Sequence, residues 1–340
     1  MNRKILVVIV AVAVIAIGIG IHLATSAKPK GEISVFSADA YLQESNTLLS
    51  AFRNSSGTQY LPVKSGGSFD MAREIGQGER STNFISVSLS SYNQSYLGSH
   101  YSGWAVAFAS DHMALAYAPH SVSTPAENSI VSDLKTGYAS NNTTLLNEGY
   151  KLLTSGLVKV GISDPLSDPA GYRAWISLEI AGKLFANNQS YYMNRLISNK
   201  GNRTASSAAE LVSPLVSGDI QFLFIYKSAA IAKGLDYINL SSYTGLGNSS
   251  LASFYSQFSL NYSGTVFTGK PIYLFISDPA GEPYSGIAEN FTSFVINHST
   301  LLSAYGLKPL THGILFNSTK PPQFIYNMIG NGELTEGGQI

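Results

Sequence analysis

Residues 104–118, WAVAFASDHMALAYA, constrain the fold more than any other part of the chain. They are extended and apolar almost throughout, yet carry Asp111-His112 in the middle. Strands of globular domains average about 5–6 residues, so a run of this length can leave one sheet and enter another. Upstream, an apolar strand at 33–36 precedes a helical pattern over 41–52. A second strand around 59–63 precedes a helix over 69–75 with Ser68 near its N-cap, and a third strand follows at 83–89. This β-α-β-α-β order is the pattern of a parallel sheet with helices on its faces. Downstream, a strand at 159–162 runs through a polar loop (163–173) into helical periodicity at 174–185. A helix over 205–216 ending at Gly218 then leads to a strand at 221–226. Residues 240–263 are rich in Gly, Ser and Tyr, 270–277 read as a returning extended segment, and 287–305 as an amphipathic helix. No internal repeat is present. The expected architecture is α/β, two lobes joined by two crossover strands, with 31–110 and 273–325 in lobe 1, 111–272 in lobe 2 and 326–340 as a C-terminal tail.

The first 30 residues are a separate unit. Arg3 and Lys4 precede a segment, 5–27, without a single Asp, Glu, Lys or Arg, rich in Val, Ile, Ala and Gly. That predicts one N-terminal transmembrane helix, with the positive end inside the cell and everything after Lys28 outside. Ala24-Thr25-Ser26-Ala27 also reads as a cleavage site, so anchor and cleaved signal both remain open. Twelve Asn-X-Ser/Thr sequons, at Asn54, Asn93, Asn141, Asn142, Asn188, Asn202, Asn239, Asn248, Asn261, Asn290, Asn297 and Asn317, exceed the about four that this composition gives by chance. They predict a glycoprotein. Charged residues are 12% of the chain against about 25% in an ordinary soluble protein. A sparsely charged, glycan-covered exterior suits an acidic or hot medium and points to an archaeal cell surface. Lys+Arg and Asp+Glu balance at 21 each, which leaves no general handle for nucleic acid. The absence of Cys excludes disulfides, thiolate metal sites and cysteine nucleophiles.

In open α/β sheets ligands sit at the carboxyl ends of strands, so in a two-lobed chain they sit in the cleft. The loops that matter are therefore 37–41, 65–69, 163–171 and the ends of the 205 helix and the 226 strand. Helix N-termini present unpaired N–H groups, and the Gly66-Gly67-Ser68 and Pro169-Ala170-Gly171 turns are two such anion cradles. Singly, each also reads as an ordinary helix start. Asp168 is the odd member, because a carboxylate repels phosphate or sulfate but suits an anion whose central metal accepts further oxygen ligands. It reads equally as a capped turn, and Asp164 as a turn residue. Tyr226 ends a strand, either as a hydroxyl donor to an anion or as a packed core tyrosine. Enzyme signatures are missing: no Gly-X-Ser-X-Gly, no His-Glu-X-X-His, no phosphate loop, and six His without metal-ligand spacing. No catalysis and no cofactor are expected.

The runs VFSADAYLQE, SGGSFDMAREIGQG, NFISVS, FASDHMALAY, GISDPLSDPAGYRAW and VSGDIQFLFIYKSAA resemble the molybdate/tungstate-binding proteins of ABC importers, in particular the archaeal tungstate-binding branch. The likeness covers roughly residues 32–310 in the same order. It implies a two-lobed periplasmic-binding-protein (type II) fold, monomeric by default, that closes on a tetrahedral oxyanion and delivers it to a membrane permease. Carried over residue by residue, it assigns ligand contacts to Ser68, to the amides of Ala170 and Ala209, and to Tyr226. Asp168 takes the place of a carboxylate that ligates the tungsten or molybdenum of the anion. Two positions depart from the pattern. Ala40 replaces a serine, leaving its amide with Ser37 nearby as a hydroxyl, and Ile225 replaces a ligating Glu. The resemblance thus leaves open tungstate, molybdate, sulfate, phosphate or an organic anion, as well as a surface glycoprotein on a scaffold that no longer transports.

Overall fold

A computed structural model of the protein describes residues 31–119, 121–282 and 285–340. The segment read as a membrane span lies outside them. Among the described residues no helix is long and apolar enough to cross a membrane.

Two sheets organise the chain. The larger has seven strands in the order Leu334–Gly338, Lys308–Asn317, Trp104–Ser110, Tyr273–Ser277, Asn83–Ser86, Val35–Ala38, Lys64–Gly66. The smaller has five: Asp236–Asn239, Met113–Tyr117, Phe222–Tyr226, Val160–Gly161, Asn202–Arg203. The long run 104–118 supplies a central strand to each, and the break falls at Asp111-His112. There the Asp111 carboxylate accepts the His112 N–H at 2.7 Å and takes the chain out of the first ladder. The return segment runs beside it, with the Asp111 N–H donating to the Ile272 carbonyl at 3.2 Å. Val35–Ala38 pairs in parallel with both Lys64–Gly66 and Asn83–Ser86, as strand-helix-strand connections require.

Burial explains the strand composition. All residues of Val35–Ala38, Asn83–Ser86, Met113–Tyr117 and Phe222–Tyr226 are buried. Helices cover both faces, so these strands have no polar side to show.

Four local expectations change. The strand around 59–63 is two pieces, Gln59–Tyr60 paired with Glu32–Ile33 and Lys64–Gly66 at the edge of the large sheet. Pro62 lies between them and has no N–H to give to a ladder. The helix expected over 205–216 forms only at Val212–Ser217. Upstream the Ala205 carbonyl accepts the Asp164 N–H and the Ala208 N–H bonds the Asp168 side chain, so that backbone is committed elsewhere. The 287–305 helix is an α-helix, Ser285–Asn297, followed by a 3-10 stretch, Ser299–Tyr305. The segment read as a tail is structured: Gln323–Gly330 is helical and Leu334–Gly338 forms the last strand of the large sheet.

Candidate functional site

The loops at the carboxyl ends of the strands meet between the two sheets. After Lys64–Gly66, Gly67 caps the helix Ser68–Gly76. A Cβ on Gly67 would lie 2.3 Å from the Ser167 carbonyl oxygen, so glycine is required for this approach. The Phe69 N–H donates to that carbonyl at 3.2 Å, and the Arg73 guanidinium donates to the Leu166 carbonyl at 2.6 Å. Ser68 is fully buried behind this contact, its hydroxyl accepting the Val87 N–H at 3.4 Å.

On the other side, the helix Pro169–Phe185 begins as its sequence dictates, with Asp168 at the N-cap and proline in the first turn. Asp164 is a turn residue, its carboxylate accepting the Leu166 N–H at 3.0 Å. Asp168 is 4% exposed and spans two loops. One oxygen accepts the Ala170 N–H at 3.0 Å and the other the Ala208 N–H at 2.9 Å. Burial, and then the facing Asp39 carboxylate, push its pKa up to about 6 against those two donors. Asp39 is itself raised by burial, opposed by the Ser207 hydroxyl and the Lys233 charge.

The sequence candidates therefore divide. Ser68, Asp168, Ala170 and Tyr226 come to the interface between the sheets. The Ala170 amide is already engaged by Asp168, as is that of Ala208, the neighbour of Ala209. The Ser37 hydroxyl turns inward, donating to the Ala38 carbonyl at 3.0 Å and pairing with the Ser45 hydroxyl at 2.8 Å. Ala40 is buried beside Asp39 at the start of the 3-10 turn Asp39–Tyr41. Ile225 belongs to the apolar core, so this position offers no ligand.

Three residues escaped sequence reasoning. Arg173, one turn into the helix from Pro169, is 3% exposed. Its guanidinium donates to the Tyr226 hydroxyl at 2.6 Å and to the Val87 carbonyl at 2.7 Å, tying the small sheet to the large one. Its Nε is buried without a partner, and among the described residues no carboxylate lies within ion-pair distance of it. Burial works against its charge, but the oxygens of Tyr172 and Tyr226 keep its pKa above the ordinary value. Tyr41 stacks on Tyr226 at 5.7 Å and donates to Asp111 at 3.0 Å, and Ser228 donates to the same carboxylate oxygen at 2.5 Å. The available signal was the single Arg of DPAGYR, four residues after Pro169 and so on its face of the helix.

The arrangement is a buried junction built from both sheets, with the Arg173 guanidinium, the amide-held Asp168 facing Asp39, and two tyrosines. Among the described residues no cluster of three or more His, Cys, Asp or Glu stands ready for a metal ion. The family model for bacterial extracellular solute-binding proteins matches residues 33–246. A solute-binding protein of Saccharolobus solfataricus is 34% identical over 319 residues, 91% of this chain and 78% of that protein. The molybdate/tungstate-binding protein WtpA of Thermococcus kodakarensis is 30% identical over 167 residues, 43% of this chain and 47% of that protein. Among solved structures, the periplasmic molybdate-binding protein of Azotobacter vinelandii superposes with a TM-score of 0.57 at 17% identity. It covers 81% of this chain and 98% of that one, and the likeness shows the mixed α/β periplasmic-binding-protein fold.

Proposed function

The chain belongs to the bacterial extracellular solute-binding proteins, and from that premise we propose that it captures tungstate or molybdate between its two sheets and delivers it to an ABC transporter permease. The observation that carries the reading is Asp168: a buried carboxylate at a helix N-terminus, held by amides from two loops and facing the buried Ser68 helix start of the other sheet. The tungsten or molybdenum of the oxyanion accepts a carboxylate oxygen as a further ligand, whereas the sulfur of sulfate does not. The Ser68 and Tyr226 hydroxyls supply donors for the anion's oxygens. Ile225 offers no second carboxylate at the position before Tyr226. That favours a site held mainly by hydrogen bonds, and keeps a sulfate-type receptor as the second reading.

An uncleaved segment at 5–27 would hold the protein on the outer face of the membrane, where its sequons are accessible. Of the twelve sequon asparagines nine are exposed and three, Asn202, Asn248 and Asn317, are half-buried. The experiment is isothermal titration of the chain from Gly31 onward with tungstate, molybdate and sulfate, repeated on Asp168→Ala. Binding of the two metal oxyanions that excludes sulfate and weakens at least tenfold in the variant supports the proposal. Sulfate binding as tight as tungstate selects the second reading, and silence across all three anions removes both.

A further inference from the structure

A cavity of about 450 Å³ opens beside Arg173, next to the return segment that joins the sheets. Its size lies within the range of about 300–1,000 Å³ that holds organic ligands, and exceeds what one tetrahedral oxyanion fills. One wall is aromatic. Tyr172 and Phe267 stack at 4.8 Å with their planes 9° apart, and Phe275 meets Phe316 edge-on at 5.9 Å across the chamber. The polar lining carries two cations, Arg173 and Lys270, and no Asp or Glu. Neither has a carboxylate within ion-pair distance among the described residues, and the buried Nε of Arg173 lacks any acceptor.

We propose that this chamber is a second ligand site, taking a small organic carboxylate whose charge pairs with Arg173 and Lys270 and whose apolar body lies against Phe267 and Tyr172. A buried guanidinium with an open donor is satisfied best by a carboxylate, which accepts from it in a fixed plane. The aromatic wall gives the rest of the ligand a surface that water does not wet well. Phe267 sits on a separate two-stranded hairpin, Ser259–Tyr262 and Thr265–Thr268, which packs on the helix Pro169–Phe185 that covers the small sheet, while Phe316 belongs to the large sheet. An occupant therefore bridges both sheets beside their connection and favours the arrangement in which they meet. This site is separate from the Asp168 loops and stands whichever oxyanion those loops take.

The test uses the chain from Gly31 onward, with 3-phenylpropanoate and its neutral amide as probes, followed by titration calorimetry and thermal shift. The carboxylate is expected to bind and to raise the melting temperature, with the amide about tenfold weaker or silent. Phe267→Ala is expected to weaken the carboxylate about tenfold and Lys270→Gln several-fold, with tungstate binding unchanged in both. Lys270 is exposed, so its variant keeps the test readable should Phe267→Ala fail to fold. Equal binding of acid and amide, no binding of either at about 10 mM (an affinity weaker than about −3 kcal/mol), or mutual exclusion with tungstate would each overturn the proposal.

Discussion

The buried carboxyl groups make stability fall as the medium becomes alkaline. Glu44 is 1% exposed, and neither of its oxygens has a hydrogen-bond partner. Burial, with the Asp111 charge behind it, pushes its pKa up to about 8. Asp278 accepts from Asn83 at 2.8 Å and Thr292 at 2.5 Å through one oxygen, but its other oxygen is buried and unpartnered, and burial pushes it up to about 7. An acid raised on folding binds more protons in the native than in the unfolded state. Its stabilising contribution is therefore fully present below the unfolded pKa near 4–4.5, and is lost as pH rises through the folded value. The rise at each site corresponds to on the order of 4 kcal/mol. Glu127, whose pKa is lowered because it accepts the Ser123 and Thr124 N–H groups, acts in the opposite sense and only in acid. Scanning calorimetry of the chain from Gly31 onward should find the highest Tm near pH 5 and a fall of roughly 10 °C by pH 9. In Glu44→Gln, which cannot ionise, the slope between pH 7 and 9 should shrink, leaving the variant more stable than wild type at pH 9. A wild-type Tm that is flat or rising from pH 5 to 9, or a Glu44→Gln variant with the full slope, refutes this reasoning.

Three further outcomes follow from the same contacts. Gly67→Ala places a methyl 2.3 Å from the Ser167 carbonyl, so it should hold the sheets apart, weaken oxyanion binding at least tenfold and enlarge the radius of gyration in small-angle scattering, with Tm little changed. Arg173→Met leaves the Val87 carbonyl and Tyr226 hydroxyl without their donor, and chemical denaturation should show a loss of about 2–4 kcal/mol. Of the sequons, the exposed Asn54 and Asn261 should carry glycans by mass spectrometry in the native host more fully than the half-buried Asn317, whose amide donates to the Thr319 carbonyl at 3.1 Å.

The frame of the molecule was legible because it rests on local signals. A fifteen-residue extended run has to pass between sheets, and Asp168-Pro169 has to start a helix. What escaped depends on partners far along the chain. Arg173 finds Val87 and Tyr226 across 86 and 53 positions, so nothing near DPAGYR reveals that its charge is buried. Glu44 looks like the solvent-facing acid of an amphipathic first turn, and its burial comes from tertiary packing around that turn, where the helix Lys227–Ala232 meets Asp39–Tyr41. The C-terminal strand was hidden for a related reason. Leu334–Gly338 is short and glycine-rich, and it becomes a strand through parallel pairing with Lys308–Asn317, in which a Cβ on Gly337 would lie 2.4 Å from Ile314. Residues 205–211 failed in the opposite direction, since their helical periodicity was outweighed by bonds from Ala205 and Ala208 to the loop ahead of Asp168.

If the protein takes up the proposed oxyanion, Asp168 would also account for how one architecture sorts anions of equal charge and nearly equal shape. Its carboxylate already holds the Ala170 and Ala208 amides, so an incoming oxyanion meets both a negative charge and donors that are in use. Sulfate has only its four oxygens to offer and must bear that repulsion in a place where burial weakens screening. A tungstate or molybdate ion reverses the balance, because the metal accepts the carboxylate oxygen that repels its rivals. Selectivity on this reading comes from the cost imposed on the wrong anion as much as from attraction to the right one. It follows that Asp168→Ala should narrow the preference for tungstate over sulfate chiefly by admitting sulfate. A variant that loses tungstate and still excludes sulfate would mean that the carboxylate acts only as a ligand and that discrimination lies elsewhere in the loops.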